Sequence, residues 1–499
     1  MGDNVSQLKW PDEGVTRAPY RVLSDPEIYA EEQRKIFRGP TWHYLCLEAE
    51  LPEAGSYRTT YIGETPVIVT RDKDGAIHGL VNRCSHKGAL VCVESGGKKN
   101  QLTCLYHAWS FSLQGDLVGV PFHKGVNGQG GMPESFDFKE HGLEKLRVES
   151  YCGLVFGTFS HHVEPLEQYI GPAMTAHLRR VFHKPVEVIG YYHQTMDNNW
   201  KLYMENSRDP YHATILHAFY ATFKLNRLTM DGGITIEHEG WNTMNFSMGA
   251  TLKEGGEYES AGLRNVVGDV GLAGPELLHR KQEFEDGITV AIQSIFPTCV
   301  NQQIYNTLAI RQLTPQGPHK CELHWTVFGY KDDTPELRQM RLMQANLIGP
   351  AGYVSIDDGV IGEYVQRGVG GTGGGGAATC AARRGHRGGI RHVGAVNGGV
   401  RRRGDGSAGN RHAVQHGYGI VSRIGHRQVQ CAVAVEVRDR HAQPTVPGGQ
   451  PGRFSDVLEP MIPLVSKKAR PGFHLRGVVL LARDEVEQPV AVKVERGQP

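Results

Sequence analysis

The chain has 499 residues, with 54 Lys and Arg against 53 Asp and Glu and a formal charge of +1. That balance gives no electrostatic case for nucleic acid or an anionic membrane surface, and no run approaches the ~20 apolar residues of a membrane helix. The polar start MGDNVSQLKWPDEG predicts no secretory leader, and nine sparse cysteines, two of them beside histidines, predict a reducing, cytoplasmic setting.

Residues 1–39 read as an arm leading into a helix. Asp25–Phe37 has an acidic first turn, basic later positions, and Ile28, Tyr29, Ile36 and Phe37 near helical spacing. A sheet-like stretch follows, in which YRTTYI and PVIVT are short β-branched and aromatic runs. RDKDG before AIHGLVN reads as a hairpin turn. The pattern continues to GLVFGTFS, so a small all-β domain is predicted at 40–157.

Residues 158–367 mix the two types, and the fold class expected is α+β. QYIGPAMTAHLRRVF predicts a helix, and NNWKLYMENSRDPYHATILHAFYATF a longer one open to interruption. ITIEHEGWNTMNFSM, GITVAIQSIFPT, QIYNTLAIRQLTP and CELHWTVFGY predict strands of an antiparallel sheet, and TPELRQMRLMQANLI a further helix.

After Arg367 the composition changes. Residues 368–499 hold no Trp, one Tyr, 17 Arg against three Lys, and 25 of the 63 glycines. Two readings fit: a disordered basic tail, or a coding segment read out of frame. Either predicts little regular structure.

Between Asn82 and Trp109 lie Cys84 and His86 as a C-x-H pair, and Cys104 and His107 as a C-x-x-H pair. Thiolates and imidazoles suit zinc or an iron–sulfur cluster. Structural zinc usually pairs like ligands, whereas each pair here mixes one Cys with one His. A [2Fe–2S] cluster with two Cys on one iron and two His on the other requires such pairs, because each loop spans the cluster. Neutral imidazoles in place of thiolates raise its potential. Gly88, Gly96, Gly97 and Gly115 suit turns closing over a cluster, with Tyr106 and Trp109 beside it. The alternative is a zinc knuckle, or side chains that never meet. Cys92 has no partner spacing and reads as a core thiol.

A second set begins at His212 and His217, with Asp209 three residues before the first. A spacing of five puts side chains about 140° apart on a regular helix, so a π-like bulge or broken turn is needed to face both rings to one metal. Two histidines and a distant carboxylate are the parts of a facial triad for non-haem Fe(II). Asp357 and Asp358, in what reads as a loop beside Gly349, Pro350 and Gly352, offer the carboxylate. Asp209 followed by Pro210 also suits a helix N-cap with Pro at the first position.

Together, C-x-H-x17-C-x2-H, then N-W-K-x-x-x-E-N-x-x-D-x-Y-H-x4-H, then G-P-A-G-x-x-S-x-D-D-G resemble the large (α) subunits of Rieske non-haem iron aromatic-ring-hydroxylating oxygenases. The resemblance spans residues 15–367. GPTWHYLCLEAELPEAG, HKGVNGQGGMPESF and ANLIGPAGYVSIDDG are most similar to the branch acting on terephthalate, anthranilate, salicylate and 2-halobenzoate. The resemblance implies a Rieske [2Fe–2S] domain (40–157) and a helix-grip, START-like catalytic domain (158–367), with the 1–39 helix packed on the latter. It assigns Cys84, His86, Cys104 and His107 to the cluster, and His212, His217 and Asp358 to the catalytic iron. Asp209 would join His212 to His107 of a neighbouring subunit, although Pro210 departs from the small residue usual in the family.

The implied activity is that of a terminal oxygenase large subunit, using O2 and electrons from NADH delivered through a separate reductase or ferredoxin. No G-x-G-x-x-G fingerprint lies in a strand–helix context within 1–367, so nicotinamide is not expected to bind here. The implied substrate is an ortho-substituted benzoate such as 2-halobenzoate, anthranilate or salicylate, with terephthalate dioxygenation or salicylate monohydroxylation as alternatives. Arg311 matches a carboxylate-binding position, Asn206 lies beside the iron helix, and Ile215, Leu216, Gln293 and Phe296 are further pocket candidates. The expected assembly is a homotrimer, or α3β3 with a small β subunit. A Rieske electron carrier without catalysis and a structural zinc protein are the readings from other classes.

Overall fold

The computed structural model describes residues 17–219, 232–237, 240–249, 274–370, 377–379 and 478–481. The architecture is α+β, built on two antiparallel sheets. The first has seven strands in the order His43–Leu47, Leu154–Thr158, Lys145–Tyr151, Ile77–Val81, Thr65–Arg71, Ser56–Ile62 and Gly96–Lys98. Asp72 explains the RDKDG hairpin. Its Oδ1 accepts from the Asp74 and Ala76 amides at 2.9 Å each, and its Oδ2 meets His78 Nε2 at 2.8 Å and Gln114 Nε2 at 3.0 Å. Gly96 and Gly97 belong to the edge strand rather than to a loop over the cysteines, because they pair with Tyr57 and Arg58. A three-stranded sheet, Leu102–Thr103, Ser110–Phe111 and Leu117–Gly119, carries the second Cys–His pair.

The second sheet has eight strands in the order Gly232–Glu237, Asn242–Met248, Ile288–Ile295, Cys299–Ile304, Thr307–Pro315, Cys321–Tyr330, Val186–Met196 and Val478–Leu481. Alternation along the strands sorts side chains to two faces. Tyr192, Val300, Ala309, Leu313 and Trp325 face the helix Trp200–Arg208 through Trp200, Tyr203 and Met204. Ile295, Cys299, Leu308, Ile310 and Phe328 face outward, against Met174 and Leu178 and against Tyr44 and Phe156 of the first sheet. Gln312 stitches the two sheets, its amide nitrogen donating to the Tyr44 carbonyl at 2.9 Å.

The strand Val186–Met196 was not anticipated. A register shift between Val188 and Gly190 interrupts its alternation. QYIGPAMTAHLRRVF forms two helices, Leu166–Ile170 and Pro172–Val181, broken at Gly171 with φ +89°. The Asp25 side chain caps helix Pro26–Glu32 and a π turn continues it to Phe37. Glu32 at its end accepts from Trp200 Nε1 at 2.9 Å, tying this helix to the second sheet's helical layer.

Helix Ser355–Gly370 crosses the composition change at Arg367. Beyond it, Ala377–Thr379 pairs with Arg17–Pro19, and Val478–Leu481 pairs with Tyr191–Gln194. The rest of 368–499, and with it the expectation of a disordered or out-of-frame tail, lies outside the described residues. Among those residues no helix is long and apolar enough to cross a membrane.

Candidate functional site

Two loops of matching hydrogen bonding present the first four residues. The Cys84 amide donates to the Ala89 carbonyl at 2.8 Å while the Gly88 amide donates to the Cys84 carbonyl at 2.9 Å. In the second loop the Cys104 amide donates to the Trp109 carbonyl and the Ala108 amide to the Cys104 carbonyl, both at 2.9 Å. The fourth residue after each Cys takes positive φ, +79° at Gly88 and +53° at Ala108. Only the first has the glycine that this conformation favours.

Both cysteines are buried, and the His86 and His107 rings stand at the outer end with centroids 4.6 Å apart. Trp109 stacks on His86 at 4.6 Å and 7°. Tyr106, expected as packing, is instead 67% exposed while it touches His107. His86 Nδ1 is buried with no hydrogen-bond partner, which fits a ligand atom turned toward a cluster. Cys92 is a buried core thiol whose amide is held by Asn82 Oδ1 at 2.9 Å.

The second set assembles around Asp358. His212 Nε2 lies 3.4 Å and His217 Nε2 3.3 Å from its Oδ1. Ligand atoms about 2.1 Å from one ion at near right angles would be about 3 Å apart, so the three fit one metal. The spacing of five is resolved by a broken turn: His212 precedes and His217 follows the single-turn helix Ala213–Leu216. Asp357 and Asp358 occupy the first turn of a helix rather than a loop, and Asp358 is buried.

The far nitrogens of both rings meet carboxylates. His212 Nδ1 faces Asp209 Oδ2 at 3.3 Å, and His217 Nδ1 faces Asp357 Oδ2 at 3.4 Å. Such outer carboxylates fix ring orientation and raise ligand basicity. Burial alone would lower the His212 imidazole, but hydrogen bonds and charge from Asp209 and Asp358 lift it to about 10 in the metal-free chain. Burial likewise favours the neutral acid at Asp358, and the two histidines outweigh it and hold it ionised.

Asp209 does not cap a helix N-terminus. It ends helix Trp200–Arg208 in an extended conformation (φ −95°, ψ 103°), as the following proline dictates. Its Oδ1 accepts from the Tyr211 amide at 2.8 Å. Within the chain no hydrogen bond joins it to His107 among the described residues. Asn206 Nδ2 reaches Asp358 Oδ1 at 3.2 Å.

Arg311 is buried on the helix-covered face. Its Nη1 donates to Tyr203 Oη at 2.8 Å and its guanidinium lies 4.4 Å from the Trp325 ring centre, while Nε has no partner. Tyr203 lies one helical turn before Asn206, which touches Asp358, so this cation sits on the side of the helix that faces the triad. Gln302, absent from the sequence reading, is fully buried with both amide atoms unpartnered. It pairs in register with Ala309, two residues from Arg311, and so faces the same side. A lone polar residue in a strand carries no such signal, so only register could find it. Gln293 turns the other way, its Nε2 donating to the Met174 carbonyl at 2.8 Å. Phe296 packs against Trp241 at 5.2 Å. Ile215 is 38% exposed.

Residues 41–130 match the family model of the Rieske [2Fe-2S] domain, and residues 182–405 that of the ring hydroxylating alpha subunit catalytic domain. The second match runs past Arg367. The chain is 49% identical over 366 residues to the terephthalate 1,2-dioxygenase terminal oxygenase component subunit alpha 2 of Comamonas sp., covering 73% of this chain and 89% of that one. It is 47% identical to the anthranilate 1,2-dioxygenase large subunit of Burkholderia cepacia, covering 74% and 87%. Naphthalene 1,2-dioxygenase from Rhodococcus sp., solved with indole bound, superposes with a TM-score of 0.60 at 25% identity over 72% of this chain and 84% of that one. The chain belongs to the large subunits of the Rieske non-haem iron ring-hydroxylating oxygenases, enzymes that carry a [2Fe–2S] cluster and a mononuclear iron.

Proposed function

We propose that this subunit hydroxylates a carboxylated arene, with His212, His217 and Asp358 holding the mononuclear iron and Cys84, His86, Cys104 and His107 holding the cluster. When bound, these centres supply dioxygen activation and single electrons respectively. The observation that carries the substrate class is Arg311. A buried guanidinium with a free Nε and no carboxylate partner among the described residues calls for an anion. Gln302 adds a donor and an acceptor on the same face. The relatives named for terephthalate and anthranilate support this reading.

Asn206 restrains Asp358, and Asp209 and Asp357 hold the imidazoles so that each Nε2 would face a bound ion. Asp209 keeps acceptor capacity beyond His212 and Tyr211, which suits a bridge to His107 of a neighbouring subunit in a trimer, with or without a small β subunit. Electrons come from NADH through a separate reductase or ferredoxin. The test is product analysis with NADH and a compatible reductase on terephthalate, anthranilate, salicylate and 2-chlorobenzoate, with naphthalene as the uncharged control. Turnover of a carboxylated arene over naphthalene is expected. Preferential naphthalene oxidation would overturn the substrate class.

A further inference from the structure

Among the described residues, two groups place two histidines and one carboxylate with all ligand atoms within 4.8 Å of one another. One is the His212–His217–Asp358 set. The other is His193, Glu322 and His324, on the opposite face of the sheet. His193 and His324 are directly paired across adjacent strands, and Glu322, two residues before His324, shares their face. The two rings stack with centroids 4.2 Å apart and 21° between planes. His193 Nε2 lies 3.0 Å and His324 Nε2 3.7 Å from Glu322 Oε2.

We propose that His193, Glu322 and His324 form a third metal site, which takes a zinc-class divalent ion with water completing its coordination. Three ligands from two hydrogen-bonded strands need little ordering on binding, because the ladder already fixes their backbones. Their side chains are 31%, 20% and 36% exposed, so an ion can enter from solvent.

Arg58, which lies over the Tyr191 ring two residues before His193, is engaged by Glu50 at 3.1 Å. Gln312, opposite His324 on the next strand, bonds Thr60 and Tyr44 of the Rieske sheet. An ion here would therefore staple two strands beside the seam between the sheets.

The test is zinc titration of the iron-loaded holoenzyme, with bound metal counted by mass spectrometry after desalting. One zinc equivalent above the iron complement is expected, retained in His212→Ala and lost in both His193→Ala and Glu322→Gln, with the cluster spectrum unchanged. Zinc should raise the apparent Tm of the wild type and not of His193→Ala. Zinc-edge absorption of the wild type, which requires no variant to fold, should show imidazole ligands. Absence of the extra equivalent, its persistence in both variants, or a shell without imidazole would overturn the proposal.

Discussion

His217 Nε2 lies 3.3 Å from Asp358 Oδ1, joining the end of a broken helical turn to the first turn of a helix distant in sequence. Each histidine of the set is gripped from behind by a second carboxylate, and this backing yields the first prediction.

Asp357→Ala removes the acceptor on His217 Nδ1 but no proposed ligand. Iron affinity at the mononuclear site should fall about 10- to 100-fold, while the cluster's visible spectrum stays as in the wild type. Competition with a ferrous chelator measures it. Unchanged affinity would show that the 3.4 Å contact does not orient the ring.

What the sequence made legible follows from how local each feature is. The two Cys–His loops are short-range turns, so their pairing showed in spacing alone. The fold class was legible because the strand runs are rich in β-branched and aromatic residues and three of the helices carry side-chain caps, at Asp25, Asn199 and Thr334. The role of Asp357 was not, because it depends on which side of helix Ser355–Gly370 faces His217. Gln302 and the His193–Glu322–His324 group were hidden for a related reason, since their meaning arises only when strands come into register.

Arg311→Met should raise KM for a carboxylated arene about 10- to 100-fold, the loss expected for a charge-assisted hydrogen bond of roughly 1.5–3 kcal/mol. KM for the corresponding neutral amide should move far less. Equal effects on both would indicate lost packing of Tyr203 and Trp325 rather than a lost anion contact.

Gln302→Met should separate stability from function. Removing a buried, unpartnered amide is expected to stabilise the ligand-free chain by about 1 kcal/mol, read as a higher urea midpoint, while kcat/KM falls. A lower midpoint with unchanged kcat/KM would assign Gln302 to the core.

Asp72 gives a pH dependence in the Rieske sheet. The His78 hydrogen bond, supported by Gln114 and two backbone amides, lowers its carboxyl to about 2. Because the folded value lies below the unfolded one of about 3.9, its stabilisation is present above pH 4 and lost as pH falls toward 2. Wild type and Asp72→Asn should therefore differ in urea midpoint at pH 7 and converge through that window. A gap that stays constant would attribute the effect to turn geometry rather than charge.

The central claim is that chemistry occurs at His212, His217 and Asp358, with the cluster as a relay. Iron analysis and EPR of purified His212→Ala, alongside a turnover assay, test it most directly. The account predicts loss of the mononuclear iron, an unchanged Rieske signal and no product. Product formation at the wild-type rate with that iron absent would contradict it.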